Sequence, residues 1–253
     1  MFQLDRHKKI YDYLLNNKNA TVNELAEICD VATMTIRRDL DKMESDGLIT
    51  RVFGGAVIGS NIVSEATYEE KEKVCIDEKV DISIEAAKLV SDNSIVILDS
   101  GTTCMEIAKK LVDKNNIKVI TTDLLIAAYL MRYKNIDVYC TGGRVQSDVG
   151  CCMDNTTADF INSINADVCF VGASAINDGL SLSTFTMEKV KVKQAMLKSS
   201  EYKILVADNS KFNKRSFAKV CNLTDFDLVI VNDSLDEKLK NNLAESGVNL
   251  KLV

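Results

Sequence analysis

Proline is absent from this 253-residue chain, and histidine occurs once, at His7. Without proline the boundaries of helices and loops lack a clear marker, so the limits predicted below are loose. The chain also has no apolar run near the roughly 20 residues of a membrane-spanning helix, which argues against a membrane protein. Its first residues are charged and lack the apolar stretch of a signal peptide.

Metal and disulfide chemistry have little support in the sequence. Eight cysteines are present, but there is no Cys-x-x-Cys, and a single histidine leaves a zinc site without its usual ligands. Cys151 and Cys152 are adjacent, which is a poor geometry for a structural disulfide. We expect reduced thiols in a cytoplasmic protein without metal or cofactor, and a redox role for Cys151 and Cys152 stays open.

Residues 21–45 predict two short helices joined by a tight turn. Thr21 and Glu24 form a capping box that begins the first helix, and Thr33 is the expected N-cap of the second. Upstream apolar residues predict a supporting helix, and the short apolar runs in Gly47–Ala56 predict a hairpin. Helix, turn, basic helix and hairpin are typical of a winged helix-turn-helix, which reads duplex DNA.

The second of these helices has one buried and one exposed face. Ile36, Leu40 and Met43 fall at positions i, i+4 and i+7, so they face a core. Met34 and Arg38 lie nearly opposite that face. The basic residues might simply form a solvated helix face, but the caps and the hairpin favour DNA contact. The candidate DNA-binding residues lie on this helix or on the hairpin: Thr33, Met34, Thr35, Arg37, Arg38, Lys42 and Arg51.

Charge is nearly balanced in this N-terminal part. The first sixty residues hold eight Lys and Arg against nine Asp and Glu, and the whole chain carries a net charge of −6. DNA affinity must therefore come from a local basic face, doubled by dimerisation. The acidic remainder is not itself a nucleic-acid surface.

The rest of the chain predicts a second, larger domain. The polar stretch 59–73 is interpreted as a linker, between a DNA-binding domain at 1–58 and an effector-sensing, oligomerising domain at 74–253. After a helix over Val74–Val90, strands and helices alternate to the C-terminal strand Val248–Val253. Such alternation predicts an α/β fold with a mainly parallel sheet flanked by helices.

The end of the first predicted strand in this domain carries a candidate phosphate site. Ligands of parallel sheets bind beyond the carboxyl ends of the strands. Asp99-Ser-Gly-Thr-Thr103 lies there, directly before a helix, and offers hydroxyls, a close backbone approach and the N–H groups of a helix N-terminus. An ordinary capping turn would look similar, so that alternative stays open.

Polar residues at other strand ends extend this candidate site. Lys211 could neutralise a phosphate, and Asp123 or Glu188 could bind sugar hydroxyls. Taken singly, Arg144 and Lys211 could equally be solvated side chains. The candidate effector-binding residues are Asp99, Ser100, Gly101, Thr102, Thr103, Thr122, Asp123, Gly143, Arg144, Glu188 and Lys211.

The chain resembles the DeoR family of bacterial repressors of sugar metabolism. In the N-terminal part the resemblance rests on Thr35–Leu40 and Gly54–Ala56, and in the larger domain on Asp99–Thr103, Gly142–Gly143 and Asp208–Phe212. The chain departs from the family at Phe53, where histidine is usual, and at Asp123, where asparagine is usual. The resemblance implies a sugar phosphate or related metabolite as inducer.

The larger domain also looks like ribose-5-phosphate isomerase, which offers an enzyme as the alternative. Glu188-Lys189 and Ser210-Lys211 fit that outline, but Val171 and Ser174 stand where the enzyme has two aspartates. Proton transfer between carbons needs such carboxylates. A ligand-free architectural DNA-binding protein is a third possibility.

These observations together predict a transcriptional regulator and not an enzyme. We expect a repressor of a sugar-utilisation operon that binds operator duplex DNA as a dimer or tetramer, because one small domain rarely gives enough affinity. A phosphorylated sugar would release it from the operator.

Overall fold

The computed structural model describes residues 3–17, 19–45, 48–52, 54–58 and 65–253. By its internal contacts the chain divides into two compact units, Met1–Val63 and Ser64–Val253. Each unit has its own buried core and is described by itself.

The smaller unit is a winged helix-turn-helix. Its antiparallel sheet has the strand order β1-β3-β2, in which β1 is a short strand that the sequence did not predict. The core contains Ile10, Leu25, Ile36 and Leu40, all fully buried. In chain order its elements are α1 (Gln3–Asn17), β1 (Asn19–Thr21), α2 (Val22–Cys29), α3 (Thr33–Ser45), β2 (Ile49–Val52) and β3 (Gly55–Ile58).

The helix starts in this unit agree with the sequence at one position and differ at another. The predicted capping box is confirmed: the Thr21 amide donates to the Glu24 carboxylate at 2.7 Å, and the Glu24 amide donates to the Thr21 hydroxyl at 3.2 Å. The prediction of Thr33 as an N-cap is wrong. The carbonyl of Ala32 accepts from the Ile36 amide at 3.2 Å, so Ala32 occupies the cap position and Thr33 is the first helical residue.

The larger unit is a parallel sheet with helices on both faces. In chain order its elements are α4 (Tyr68–Glu72), α5 (Ile76–Lys88), β4 (Ile95–Leu98), α6 (Thr102–Lys110), β5 (Ile117–Thr121), α7 (Leu124–Leu130), β6 (Ile136–Cys140), β7 (Arg144–Gln146), β8 (Cys151–Met153), α8 (Asn155–Asn162), β9 (Ala166–Gly172), β10 (Ala175–Ile176), β11 (Ser181–Thr184), α9 (Met187–Lys198), β12 (Ser200–Ala207), β13 (Ala218–Asn222), β14 (Leu228–Val231), α10 (Glu237–Glu245) and β15 (Leu250–Leu252).

Seven strands form the central sheet, in the order β15-β14-β12-β9-β4-β5-β6, and every neighbouring pair is parallel. Alternate residues of a strand face opposite cores, because side chains alternate along a strand. Ile97 packs in one core with helices α8, α9 and α10, whereas Val96 and Leu98 pack in the other with α5, α6 and α7. The predicted α/β class with a mainly parallel sheet is confirmed.

Two small antiparallel sheets complete the larger unit: the hairpin β7-β8 and the sheet β10-β11-β13, neither of which the sequence predicted. Residues 65–73, predicted as linker, pack against this unit instead. The Tyr68 amide donates to the Asp148 carbonyl at 2.9 Å. The remainder of the predicted linker, 59–64, and Phe53 lie outside the described residues. None of the described helices is long and apolar enough to cross a membrane.

Candidate functional site

The exposed face of α3 holds most of the predicted DNA-binding residues. Thr33, Arg37, Arg38 and Lys42 are exposed, and Met34 is 63% exposed although it is apolar. Thr35 is half-buried at the margin of this face. The opposite face, with Ile36, Leu40 and Met43, is fully buried in the core. The structure therefore presents these residues together on one accessible helix surface, as their spacing predicts.

Arg51 lies on strand β2 and is tied to α3. Its guanidinium forms an ion pair with Asp41, and its amide donates to Glu44 Oε1 at 2.7 Å. Because the side chain is half-buried and already paired, its charge is partly neutralised within the unit. A DNA contact by Arg51 stays a prediction.

Asp39 has a structural role that the sequence did not indicate. Its buried carboxylate accepts from Arg6 Nε at 2.5 Å and contacts His7 Nε2 at 3.1 Å. Burial raises the pKa of Asp39, but hydrogen bonds from Arg6 and His7 outweigh it and hold the pKa below its usual value. This pair joins α1 to α3 and fixes the orientation of the helix whose other face is exposed.

The candidate effector residues gather at the carboxyl edge of the sheet. The Gly101 amide donates to Asp123 Oδ2 at 3.0 Å, which joins the loops that follow β4 and β5. The Gly172 amide donates to Asp99 Oδ2 at 3.0 Å, which joins β9 to β4. The structure thus brings Asp99–Thr103 next to Thr122 and Asp123, as the strand order requires.

Asp99 is held by the protein itself. It is 3% exposed, forms an ion pair with Lys193, and accepts from the Ser100 amide at 2.8 Å. Lys193 also donates to the Gly172 carbonyl at 2.8 Å. Asp99 therefore positions the loop and does not project a free carboxylate. Lys193 lies 94 positions away in sequence and was not predicted.

The Asp123 carboxylate likewise accepts hydrogen bonds from the protein, in this case from backbone amides. It is fully buried, and its Oδ1 caps α7 by accepting from the amides of Leu125 at 2.8 Å and Ile126 at 3.2 Å. Burial raises the pKa of Asp123 despite these hydrogen bonds. The three hydrogen bonds that its carboxylate accepts come from backbone amides, and its full burial leaves it little accessible to a sugar hydroxyl.

The start of α6 lies at this edge and has a special backbone conformation. Gly101 has a φ of +125°, a conformation that favours glycine, and no atom lies within 4 Å of where a Cβ would be. As N-cap it supplies no side-chain acceptor to the first amides of α6. Thr102 and Thr103 begin the helix beside it. Uncapped amides next to hydroxyls can bind an anion.

Lys211 lies near this edge, after β12. Its Nζ is 3.7 Å from the fully buried carboxylate of Asp208. The pKa values of Lys71, Lys79 and Lys214 are lowered mainly by burial, and the positive charge of Lys211 lowers them further. Lys79 and Lys214 therefore share one region with Lys211 and the buried carboxylate of Asp208, whereas Lys71 pairs with Glu65. That balance suits an anionic ligand.

Arg144 and Glu188 lie together but are exposed. Arg144 Nη2 is 3.8 Å from Glu188 Oε1, and their side chains are 58% and 47% exposed. Gly143 packs closely instead, since a Cβ there would lie 2.4 Å from the Thr157 hydroxyl. Thr122 is buried, and its carbonyl accepts from the Cys152 amide at 2.7 Å. Ligand contact by these four residues stays a prediction.

A cluster around Glu65 has no counterpart among the predicted residues. The Glu65 carboxylate is surrounded by Lys71, Lys189 and Gln146. Polarity alone placed Glu65 and Lys71 in a linker, and Lys189 drew notice only beside Glu188. Lys189 lies 124 positions from Glu65, so no local pattern could have joined them.

Comparison with known proteins agrees with this architecture. Residues 6–61 match the DeoR-like helix-turn-helix domain, and residues 74–233 match the DeoR C terminal sensor domain. An uncharacterized HTH-type transcriptional regulator of Haemophilus influenzae is 33% identical over 100% of this chain and 98% of its own. The glycerol-3-phosphate regulon repressor of the same organism is 31% identical over 100% of this chain and 98% of its own.

A ribose 5 phosphate isomerase A from Neisseria gonorrhoeae is also similar, at 19% identity and a TM-score of 0.40, over 54% of this chain and 53% of that chain. Nothing about activity follows from a similarity at this level. The two matched domains together cover most of the chain and both units of the structure. The chain therefore belongs to the DeoR family of DNA-binding transcriptional regulators.

Proposed function

We propose that this protein represses a sugar-utilisation operon and is released from its operator by a phosphorylated sugar. The observation that carries the proposal is the uncapped start of α6, with Gly101, Thr102 and Thr103, at the carboxyl edge of the sheet where Lys211 also follows a strand. Backbone amides, hydroxyls and a nearby positive charge are the groups that recognise a phosphate. The name of the relative that represses a glycerol-3-phosphate regulon supports the same ligand class.

The smaller unit supplies the DNA contact in this proposal. Arg37, Arg38 and Lys42 project from α3, and Arg38 lies opposite the buried face, where a recognition helix meets base edges. The first sixty residues are nearly neutral overall, so one unit provides little non-specific attraction to DNA. Two or four copies acting together on repeated half-sites would supply the affinity.

Features of the carboxyl edge favour a sensor over an enzyme. Val171 is fully buried, and the Ser174 hydroxyl lies 3.4 Å from the Thr184 hydroxyl, at the two positions where the isomerase pattern has aspartates. Glu188 is exposed and pairs with Arg144. Proton transfer between neighbouring carbons would lack its carboxylate pair. We propose that the domain binds its ligand without chemistry and acts in the cytoplasm.

Thermal unfolding of the full chain with a panel of hexose, pentose and glycerol phosphates tests the ligand class. A ligand at 100 times its Kd stabilises the folded state by about 2.7 kcal/mol. We expect one phosphosugar to raise the Tm of the wild type, and Lys211→Ala to lose most of that rise. Lys219→Ala removes an exposed lysine elsewhere and should keep it. An equal rise in wild type and Lys211→Ala would remove Lys211 from the site, and no rise with any phosphosugar would contradict the phosphate assignment.

A further inference from the structure

Glu65 occupies a site that is built to hold an anion. Its Oε1 lies 2.6 Å from Lys189 Nζ and 2.9 Å from Lys71 Nζ. Its Oε2 accepts from Lys189 at 2.7 Å and from the Gln146 amide at 2.9 Å. The side chains of Lys189 and Glu65 are 9% and 12% exposed, so this is an enclosed cluster and not a surface ion pair.

The charges of Glu65 and Lys71 stabilise one another in this cluster. Burial lowers the pKa of Lys71 below its usual value, even though the Glu65 carboxylate acts in the opposite direction. For Glu65, burial raises the pKa, but the hydrogen bonds and charges of Lys189 and Lys71 outweigh it and lower the pKa. The groups that donate to Glu65 are two ammonium groups and one side-chain amide. The same donors would suit a phosphate.

This cluster lies next to the candidate effector loop. The Cys151 thiol lies 3.8 Å from Gln146 Oε1 and within hydrogen-bonding reach of the Ser100 side chain. Burial is the main reason that the pKa of Cys151 is raised, and the charges of Lys189, Asp99 and Glu65 also affect this pKa. The Gln146 and Cys151 side chains thus connect Glu65 to the loop that leads into α6.

The segment that carries Glu65 also contains α4, which contacts α6. The half-buried phenol of Tyr68 has a raised pKa, first because of burial and then because of the nearby charge of Asp123. The Asp123 carboxylate accepts from the Gly101 amide. Residues 65–73 therefore lie close to the same loop, and they directly follow residues 59–64 in the chain.

We propose that Lys71, Lys189 and Gln146 form an anion subsite of the effector site, and that Glu65 fills it as an internal competitor which the bound effector displaces. This inference rests on the proposed function and deepens it. Displacement frees residues 65–73 from their anchorage on the larger unit, and these residues lead along the chain toward the DNA-binding unit. The effector then changes the coupling between the units without contacting the DNA-binding unit itself.

Two substitutions of Glu65 separate the effect of its side chain filling the subsite from the effect of its negative charge. Glu65→Gln removes the carboxylate charge, whereas Glu65→Asp keeps the charge but shortens the side chain so that it cannot reach both lysines. Both variants should bind inorganic phosphate about tenfold more tightly than the wild type, because the competing state is depopulated. Glu85→Gln removes a carboxylate paired with Lys88 and Lys251 and serves as the matched control with unchanged affinity.

The test is hydrogen exchange of the full chain with and without inorganic phosphate, read at residues 101–103 and at the amides of Tyr68 and Lys71. We expect phosphate to protect 101–103 and to speed exchange at Tyr68 and Lys71, and Glu65→Gln to show the faster exchange without phosphate. Calorimetric titration of the same proteins supplies the phosphate affinities.

Three results would overturn the inference. Protection of 101–103 with unchanged or slower exchange at Tyr68 would show that the segment is not displaced, while the proposed phosphate site would stand. Tighter binding by Glu65→Gln but not by Glu65→Asp would show a charge effect without competition. Absence of phosphate protection in every protein would remove the anion site, and with it both this inference and the proposed ligand class.

Discussion

At the scale of single residues, two adjacent residues of α3 have different environments. Arg38 is exposed on α3, whereas Asp39 beside it is 2% exposed and pairs with Arg6 and His7. The string Thr35–Leu40 therefore mixes candidate DNA contacts with residues that hold the helix in place. Substitutions at these two positions should fail in different ways.

Arg38→Ala should weaken operator binding by roughly 1–3 kcal/mol and relax sequence preference, because a side chain opposite the core face is placed to reach base edges. Thermal stability should not change, since Arg38 is exposed. Fluorescence anisotropy with duplex DNA selected from a random pool measures both affinity and preference. Arg132→Ala, an exposed arginine of the larger unit, is the control. Unchanged affinity and preference in Arg38→Ala would show that another face of α3 meets the DNA.

Asp39→Asn should destabilise the smaller unit by about 1.5–3 kcal/mol, because it removes the negative charge of the buried carboxylate that accepts hydrogen bonds from Arg6. Hydrogen exchange of the α3 amides in the full chain measures this loss. Equal protection in wild type and variant at neutral pH would contradict the structural role of Asp39.

The ion pair of Arg6 and Asp39 also predicts how the stability of the smaller unit depends on pH. The pKa of Asp39 is lowered in the folded protein, from about 3.9 for an unfolded chain. Its stabilisation is therefore fully present above about pH 4 and is lost as the pH falls through the lower folded value. The difference in α3 protection between wild type and Asp39→Asn should shrink in that acidic range.

At the scale of elements, the junction of β4 and α6 depends on one backbone conformation. Gly101 has a φ of +125° with open space around the position of a Cβ. Gly101→Ala should destabilise the larger unit by about 1–3 kcal/mol through backbone strain alone, without a clash. Urea unfolding measures this, with the exposed Gly179→Ala as control, because Gly179 has no such φ. Equal stability of the two variants would show that the loop relaxes freely.

The periodic elements could be predicted from the sequence. The strands of the central sheet are apolar runs between helical segments, and each lies within a residue or two of its predicted limits, as β4 does at Ile95–Leu98. The strands β1, β7, β8, β10, β11 and β13 were not predicted. They have two to five residues and are defined by pairing with distant segments, which short apolar runs do not reveal.

The site was predictable where it follows from topology. The carboxyl ends of neighbouring strands meet, so Asp99–Thr103 and Asp123 lie together as expected. The partners of these residues were not predictable. Lys193 reaches Asp99 from α9, and Glu65 reaches Lys189 across 124 positions, so only the folded chain shows which polar groups are already paired.

At the scale of the whole molecule, a nearly neutral DNA-binding unit implies an assembly. We expect at least a dimer formed through residues 74–253, with an operator of repeated half-sites, because two contacts in one complex multiply the affinity of each. Light scattering of the full chain at working concentration measures the mass, and footprinting maps the half-sites. A strict monomer that binds a single half-site tightly would contradict this expectation.

Release of DNA by the ligand tests the central claim most directly. Anisotropy of labelled operator bound to the full chain should fall when the phosphosugar that raises the Tm is added. Thr102→Val and Lys211→Ala should bind the operator as tightly as the wild type yet stay bound at the same ligand concentration, because a ligand that no longer favours one state cannot shift the balance between states. If the phosphosugar leaves wild-type anisotropy unchanged, or releases both variants as readily as the wild type, the account of this protein as a phosphate-released repressor is wrong.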